Sequence, residues 1–172
     1  MGKIVYFVAA SLDGFIADPH GNTDWLFTDR DYGYTAFYRS VKAVIMGRKT
    51  YEKILDFGPY LFSDKISYVF TRRKTAGMQN LDFIHHYIPE FTADLKQKLK
   101  EPIWFAGGGE IAGILFSHAL IDQLVISIHP IYLGDGIPLT QPLLRIRNFM
   151  LEKRRKYPSG LIQLTYSSFS NS

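Results

Sequence analysis

Short apolar runs alternate along the chain with segments of helical periodicity. Each run is bounded by turn-forming residues, which is typical of strands buried on both faces of a sheet. The runs lie at 3–10, 42–47, 65–71, 81–85 and 102–106, and the helical segments at 31–40, 48–55, 90–100 and 110–119. Parallel strands need crossover connections, which are usually helices. The alternation therefore predicts an α/β fold with a mostly parallel central sheet and crossover helices.

The alternation stops after residue 120. Strand-like sequence follows at 122–133, 149–157 and 161–169, without a convincing helix between the last two. The residues Tyr-Pro-Ser-Gly at 157–160 are typical of a hairpin turn. We therefore expect an antiparallel C-terminal hairpin to complete the sheet. No repeat and no low-complexity linker divides the 172 residues, so we expect a single domain over residues 1–172.

The composition excludes several kinds of site. The chain has no cysteine, which rules out disulfides, thiolate metal sites, iron–sulfur clusters and a cysteine nucleophile. Its five histidines lack the spacing of metal ligands, so we expect no metal. No apolar run approaches the roughly 20 residues of a membrane span. We therefore expect a cytoplasmic protein with no membrane partner.

Three consecutive glycines directly follow a buried strand. They occupy 107–109, between the run at 102–106 and the helical segment at 110–119. Glycine in this place lets a phosphate approach the backbone and the free N–H groups of a helix N-terminus. Open parallel sheets bind ligands at the carboxyl ends of their strands, which is where these glycines lie. The functional interpretation is a pyrophosphate site, and the alternative is a tight structural turn.

Basic residues follow two other buried strands. The sequence Arg-Lys-Thr at 48–50 begins a helical segment, where the helix dipole disfavours cations unless an anion is bound. Three cations at 72–74 follow the run at 65–71, and arginine at such a position favours the 2′-phosphate of NADP. In both places the alternative is a solvated basic turn.

The net charge of +4 suits a nucleic acid, a membrane surface or a phosphorylated small molecule. A surface for nucleic acid would need a broad basic stripe interleaved with aromatic residues. The basic clusters here are short and lie at strand ends, so we expect no nucleic-acid partner. The run Lys-Arg-Arg-Lys at 153–156 lies instead in the expected hairpin, and we interpret it as a solvated edge that limits strand pairing.

Three motifs, in this order, resemble the dihydrofolate reductase-like superfamily. They are AASLDGFIA at 9–17, VIMGRKTYE at 44–52 and FAGGGEI at 105–111. The segment at 120–139, with Gly-Asp-Gly-Ile-Pro at 134–138, is similar to the riboflavin-biosynthesis reductase branch, the RibD C-terminal domain. The resemblance covers nearly the whole chain. It implies a dihydrofolate reductase-like αβα fold and an NADPH-dependent reductase that is often a homodimer.

The resemblance also implies which residues hold NADPH. Ala10 and Ile16 would lie along the nicotinamide ribose, and Thr71 and Arg72 would flank the 2′-phosphate with help from Arg73. The other residues implied for the cofactor are Gly47, Arg48, Lys49, Thr50, Ala106, Gly107, Gly108, Gly109, Glu110 and Ile111.

Catalytic and substrate-binding candidates come from the segment after the first strand. Reduction of a C=N bond needs a proton as well as a hydride. The best match to the carboxylate of folate reductases is Asp31, although Thr28 and Asp31 are equally typical of a capping pair at a helix start. Asp13 is interpreted as a substrate-binding or loop-ordering residue, and Trp25 as a substrate-binding residue.

The function implied by the resemblance is that of the riboflavin-pathway 5-amino-6-(5-phosphoribosylamino)uracil reductase, acting on a small heterocyclic or ribosyl substrate. A dihydrofolate reductase-type enzyme is one alternative, but the Trp-Leu-Pro sequence of that type is not intact at 25–27. A non-catalytic NADP-binding protein is another. The chain lacks the signature of a fused zinc deaminase, which leaves open a substrate different from the pathway intermediate.

Overall fold

A computed structural model of the protein describes residues 1–142 and 146–169. Within these ranges the chain forms ten strands and four helices. The strands are β1 (Ile4–Ala10), β2 (Phe15–Ala17), β3 (Ala43–Gly47), β4 (Ile66–Phe70), β5 (Leu81–Ile84), β6 (Ile103–Gly107), β7 (Gln123–Ile128), β8 (Ile137–Pro138), β9 (Phe149–Lys156) and β10 (Ile162–Ser168). The helices are α1 (Tyr34–Ser40), α2 (Arg48–Leu55), α3 (Ile88–Lys98) and α4 (Gly109–Ser117).

Eight strands form one sheet in the order β5-β4-β3-β6-β1-β7-β10-β9. The first six strands in this order are parallel, with Ile4 of β1 paired to Ile103 of β6 and Val5 paired to Gln123 of β7. Strand β10 is antiparallel to both β7 and β9. The predicted parallel sheet with an antiparallel C-terminal hairpin is therefore confirmed. This order brings the carboxyl ends of β1, β3, β4 and β6 to one edge of the sheet.

Helices cover both faces of the sheet. On one face, Leu95 of α3 and Leu115 of α4 belong to an apolar cluster with the inner strands. On the other face, Tyr38 of α1 and Tyr51 of α2 pack in a second cluster around Trp104 of β6. All five residues of β3 are buried, as expected for a strand between two layers. The predicted three-layer αβα arrangement is confirmed.

Two element boundaries differ from the prediction for physical reasons. Helix α1 begins at Tyr34 instead of residue 31, because Gly33 directly before it is left-handed, with φ 85°. Strand β7 ends at Ile128 instead of residue 133, since Pro130 has no N–H to continue the ladder. The small second sheet formed by β2 and β8 was not predicted, because strands of three and two residues are too short to show a periodicity.

The described residues set two limits on the kind of site. No helix among them has the length and the apolar character needed to cross a bilayer. The same residues hold no group of three or more histidine or carboxylate side chains that could bind a metal ion together.

Candidate functional site

Two helices begin at the edge of the sheet where the parallel strands end. Helix α2 starts immediately after β3, and α4 starts two residues after β6. The N-cap residues are Gly47 and Gly108, and neither helix has a side-chain hydrogen bond at its N-cap. The first N–H groups of both helices are therefore free of a capping side chain, which is the arrangement that favours an anion.

The two loops approach each other closely through their glycines. A Cβ atom added to Gly47 would lie 3.2 Å from Ile111 Cγ1. One added to Gly108 would lie 3.7 Å from Gly47 Cα and 3.6 Å from Thr50 Oγ1. Gly107 and Gly108 have φ values of 134° and 114°, which residues with side chains rarely adopt. We call Gly47, Thr50, Gly107, Gly108 and Ile111 the glycine cradle. It unites two motifs that lie 60 residues apart in the sequence.

Ion pairs hold the basic residues at the rim of the glycine cradle. Arg48 donates to Glu52 at 2.6 Å, and Arg73 lies 3.8 Å from the same carboxylate. Arg72 donates to Glu110 at 3.1 Å, so the predicted cofactor residue Glu110 contacts a guanidinium group. The Arg72 and Glu110 side chains are 94% and 71% exposed. An exposed pair contributes little stability, so Arg72 can exchange this carboxylate for a phosphate at small cost.

Four further predicted residues lie around the same edge. Thr71 Oγ1 accepts from the backbone N–H of Arg73 at 3.1 Å, which orders the turn after β4. Lys49 is exposed in the first turn of α2. Ala106 is half-buried in β6 just before the glycines, and Gly109 begins α4 just after them.

The first loop joins β1 to β2 at the neighbouring strand end. Ala10 is 1% exposed, and its carbonyl accepts from the backbone N–H of His129 at 2.8 Å. Ile16 lies in β2, which pairs with β8. The N–H of Leu139 donates to the carbonyl of Gly14 at 3.0 Å. Ala10 is therefore paired in the β1–β7 ladder, whereas Ile16 lies at the irregularity of the β2–β8 pair, between the paired residues Phe15 and Ala17.

Asp13 connects the first loop to the segment that follows β7. Its Oδ1 accepts from Ser11 Oγ at 2.6 Å and from the N–H of Leu133 at 3.1 Å, and its Oδ2 accepts from the N–H of Gly134 at 2.7 Å. Desolvation acts to raise the pKa of Asp13, but these hydrogen bonds outweigh it and lower that pKa. Of the two predicted roles, these contacts support loop ordering.

An aromatic cluster surrounds His129 at the end of β7. The rings of Trp25 and Phe27 lie 5.5 and 5.0 Å from the imidazole, centroid to centroid. His129 is 3% exposed, and its Nδ1 contacts the carbonyl of Ser127 at 3.2 Å. Desolvation lowers the pKa of His129, so the ring is neutral near pH 7.

Two buried nitrogens in this cluster lack hydrogen-bond partners among the described residues. They are Trp25 Nε1 and His129 Nε2. The indole nitrogen can only donate, whereas Nε2 of a neutral imidazole with its proton on Nδ1 accepts. The histidines were considered only as metal ligands, and their spacing argued against that role, so sequence reasoning missed His129. The signal for it was its place directly after an apolar strand, beside a proline.

Asp31 lies before α1 and is exposed. Its carboxylate accepts from the N–H of Thr35 at 3.0 Å and from Thr35 Oγ1 at 2.7 Å. The hydrogen bonds from Thr35 lower the pKa of Asp31, so its carboxylate is ionised at neutral pH. The capping contact predicted with Thr28 is made with Thr35 instead. The catalytic role of Asp31 stays a prediction.

The segment at 137–141 crosses the start of α4, which the sequence did not indicate. Gln141 donates its N–H to the carbonyl of Gly109 at 2.9 Å, and a Cβ on Gly109 would lie 3.1 Å from the carbonyl oxygen of Pro138. The buried Tyr6 donates its hydroxyl to the carbonyl of Leu139 at 3.0 Å. This segment therefore packs against the same helix start that carries the triple glycine.

The architecture and the motifs at its strand ends define a protein of the dihydrofolate reductase-like superfamily. Residues 60–162, more than half of the chain, match the family model of the RibD C-terminal domain. The chain belongs to the RibD C-terminal domain family. The resemblance seen in its motifs is confirmed.

Two curated relatives extend the similarity over nearly the whole chain. YwjB of Bacillus subtilis (strain 168) is 37% identical over 169 residues, which cover 95% of this chain and 97% of that protein. YyaP of the same strain is 30% identical over 176 residues, which cover 95% of this chain and 94% of that protein. Both carry the name "uncharacterized protein", so they support the family and leave the activity open.

Solved structures show the same fold. A provisionally named riboflavin biosynthesis protein from Shewanella sp. PV-4 is 31% identical with a TM-score of 0.84, over 99% of this chain and all of that one. The deaminase/5-amino-6-(5-phosphoribosylamino)uracil reductase of Thermotoga maritima has a TM-score of 0.74 at 14% identity, over 98% of this chain and 57% of that one. Dihydrofolate reductase from Enterococcus faecalis, complexed with NADP(H) and RAB-propyl, has a TM-score of 0.72 at 14% identity, over 98% of this chain and 97% of that one.

Proposed function

We propose that the protein is an NADPH-dependent reductase whose cofactor binds in the glycine cradle. The observation that carries this proposal is the meeting of two helix N-termini through Gly47, Gly107 and Gly108, whose lack of side chains lets the two loops approach each other. A dinucleotide needs such a place, because its pyrophosphate is bound by backbone N–H groups at close range. A Cβ atom on Gly47 or Gly108 would narrow that space, so the residues present fit the cofactor.

Arg72 and Arg73 are the proposed ligands of the 2′-phosphate. Both follow β4, the neighbour of β3 in the sheet, and both are held at the rim by carboxylates. A guanidinium group binds a phosphate through two parallel hydrogen bonds. NADPH, when bound, supplies the hydride, and the chain supplies position and polarity. The remaining cofactor residues predicted by the motifs are part of the same proposal.

We expect the wild-type protein to bind NADPH more tightly than NADH, and Arg72→Ala to remove most of that difference. A hydrogen bond to a charged group contributes about 1.5–3 kcal/mol. Its loss should raise the Kd for NADPH about ten- to 100-fold. The Kd for NADH should change little, because NADH has no 2′-phosphate. Titration of both cofactors, followed by quenching of Trp25 and Trp104 fluorescence, measures the two constants.

The matched control for this experiment is Arg154→Ala, which removes an exposed arginine from β9, far along the sheet from β4. It should leave both constants unchanged. Equal affinity of the wild type for NADPH and NADH, or equal losses for both cofactors in Arg72→Ala, would contradict the assignment of the 2′-phosphate.

The proposed substrate is a small heterocycle that carries a ribosyl phosphate, as in the riboflavin-pathway reductases. Family membership supports it, as does the buried Trp25 Nε1, an unused donor in an aromatic surrounding suited to a planar ring. The alternatives are a dihydrofolate reductase-type enzyme and an NADP-binding protein without turnover. Oxidation of NADPH with the aminouracil ribosyl phosphate, with dihydrofolate, or with neither, separates the three.

Asp31→Asn separates the two roles of Asp31. Loss of a proton donor would lower kcat/KM by about 10²–10⁴-fold. If the Asp31 side chain only caps the start of α1, kcat/KM should stay unchanged, since asparagine caps a helix equally well. The contacts with Thr35 and the lowered pKa favour the second outcome. We therefore expect the profile of kcat/KM against pH to match that of the wild type.

We also propose that the protein is a cytoplasmic homodimer. The support for a dimer is a strip of apolar side chains on the hairpin of β9 and β10, on the face that points away from α1. Leu151 and Ile162 on that face are 48% and 41% exposed. Leu164 and Tyr166 share the face with them by register, as do the cations Arg154 and Lys156. A second copy of the chain packed there would remove this apolar strip from water.

A further inference from the structure

The basic run at 153–156 divides between the two faces of β9. Lys153 is paired with Thr165 of β10, and Arg155 is paired with Gln163. Side chains of directly paired residues lie on the same face of a sheet, and successive residues alternate. Lys153 and Arg155 therefore share one face, while residues 154 and 156 share the other. Lys153 and Arg155 are exposed on the edge strand, as the sequence predicted, and they lie on the face that α1 also borders.

Lys153 and Arg155 line a crevice between the C-terminal hairpin and α1. The crevice has a volume of about 240 Å³. Its walls include Phe7, Ala36, Lys153, Arg155, Gln163 and Thr165. We call it the hairpin crevice. Sites for drug-sized ligands have volumes of about 300–1,000 Å³, so this one suits a smaller molecule.

The two cations in the hairpin crevice lack an ionic partner. Neither has a carboxylate within 4.0 Å among residues 1–142 and 146–169. By contrast, Arg48, Arg72 and Arg73 at the glycine cradle each pair with a glutamate. Two residues apart on one strand, the cations of the crevice lie about 7 Å from each other at the backbone. Like charges at this spacing repel, and an anion between them removes the repulsion.

The remaining walls give the hairpin crevice a polar floor and an apolar side. Gln163 is 7% exposed, and its amide nitrogen donates to two protein oxygens at 2.9 and 3.0 Å, which fixes the side chain. Thr165, which also lines the hairpin crevice, carries a hydroxyl group that can donate a hydrogen bond. Phe7 stacks on Phe37 at 4.5 Å, so its ring is held in place beside Ala36. Charge at one end and carbon at the other suit an organic anion.

We propose that the hairpin crevice binds a small phosphomonoester. Its phosphate lies between Lys153 and Arg155, and its carbon skeleton lies against Phe7 and Ala36. Arginine contributes a bidentate contact to the phosphate, and lysine a mobile point charge. None of these residues belongs to the glycine cradle, so the ligand binds independently of the proposed cofactor.

Calorimetry with glycerol 3-phosphate on the full chain tests the proposal. This probe is a phosphomonoester without a heterocycle, so it shares the phosphate group with the proposed substrate and not its ring. We expect a Kd of about 1 mM. The double variant Lys153→Gln/Arg155→Gln should weaken binding about tenfold or more. Ala36→Leu should weaken it similarly, because it fills the crevice and keeps both cations.

The chain offers a matched control on the opposite face of β9. Arg154→Gln/Lys156→Gln removes the same charge from the same strand and should leave the Kd within about twofold. Arg72→Ala, at the glycine cradle, should also leave it unchanged. Equal losses in the two double variants, loss in Arg72→Ala, an unaffected Ala36→Leu variant or no binding to the wild type would each overturn the proposal.

A parallel titration keeps this proposal distinct from the proposed function. The crevice variants should bind NADPH as the wild type does, whether or not glycerol 3-phosphate binds. Circular dichroism and the urea midpoint of each variant show that the loss of binding is not a loss of fold, as expected for substitutions of exposed residues on an edge strand.

Discussion

Replacing Gly108 by alanine should weaken NADPH binding about 100-fold, a loss of roughly 2.7 kcal/mol. Gly108 has φ 114°, and a residue with a Cβ in such a conformation carries a strain of about 1–3 kcal/mol. The added atom would lie at ordinary contact distance from Gly47 and Thr50, so the loop would relieve this strain by changing its own backbone conformation. The N–H groups at the start of α4 would then no longer point into the glycine cradle. Fluorescence titration with NADPH measures the effect.

Gly58 supplies the matched control, since its φ is 117° and a Cβ there would meet nothing within 4 Å. Gly58→Ala therefore introduces nearly the same backbone strain beyond the other end of α2. Both variants should lose a similar amount of stability in urea, and only Gly108→Ala should lose affinity for NADPH. Wild-type affinity in Gly108→Ala would mean that the cofactor does not bind in the glycine cradle.

Replacing Lys96 by methionine should lower the free energy of unfolding by about 3 kcal/mol. Lys96 is 6% exposed, and its ammonium group lies 2.8 Å from the carboxylate of Asp122. That carboxylate also accepts from the N–H of Ile4 at 2.7 Å, at the start of β1. Without the lysine, a carboxylate in a poorly solvated place loses its counter-charge. The Asp122 side chain is 24% exposed, so water limits the loss to the lower end of the range for buried pairs.

The control is the exposed pair of Lys53 and Asp56, which lie 3.6 Å apart with side chains 41% and 67% exposed. Lys53→Met should change the stability by less than about 0.5 kcal/mol. Asp122→Asn should cost less in the Lys96→Met background than in the wild type, because the two side chains share one interaction. Equal losses of unfolding free energy in Lys53→Met and Lys96→Met would show that the buried pair stabilises the fold no more than the exposed pair does.

The parallel part of the fold was predictable because its signals are local. An apolar run such as 42–47 cannot be exposed on either face, and helical periodicity on both sides of it leaves a crossover as the simple connection. The same logic identified the hairpin from its turn at 157–160. The small sheet of β2 and β8 could not be predicted from local signals, because its pairing depends on the close approach of Gly136 to Ala17, which no periodicity reveals.

The candidate site was predictable in its composition and only partly in its contacts. Position after a strand indicated the triple glycine and the basic residues. The pairing of Arg72 with Glu110, of Asp13 with residues 133–134 and of Asp31 with Thr35 depends on how loops fold back, and spacing does not encode that. The placement of the four cations at 153–156 could not be predicted without the register of β9 against β10, because strand alternation divides them between two faces of the sheet.

The anchoring of the first loop bears on how ligands enter and leave. Asp13 fastens this loop to the segment after β7, and Gly14 fastens it to the segment after β8. One wall of the candidate site is thus tied to two distant parts of the chain and moves only if both contacts break. For the proposed dinucleotide the opposite wall is the easier one to open, because its ion pairs, of Glu52 with Arg48 and Arg73 and of Glu110 with Arg72, all involve exposed carboxylates.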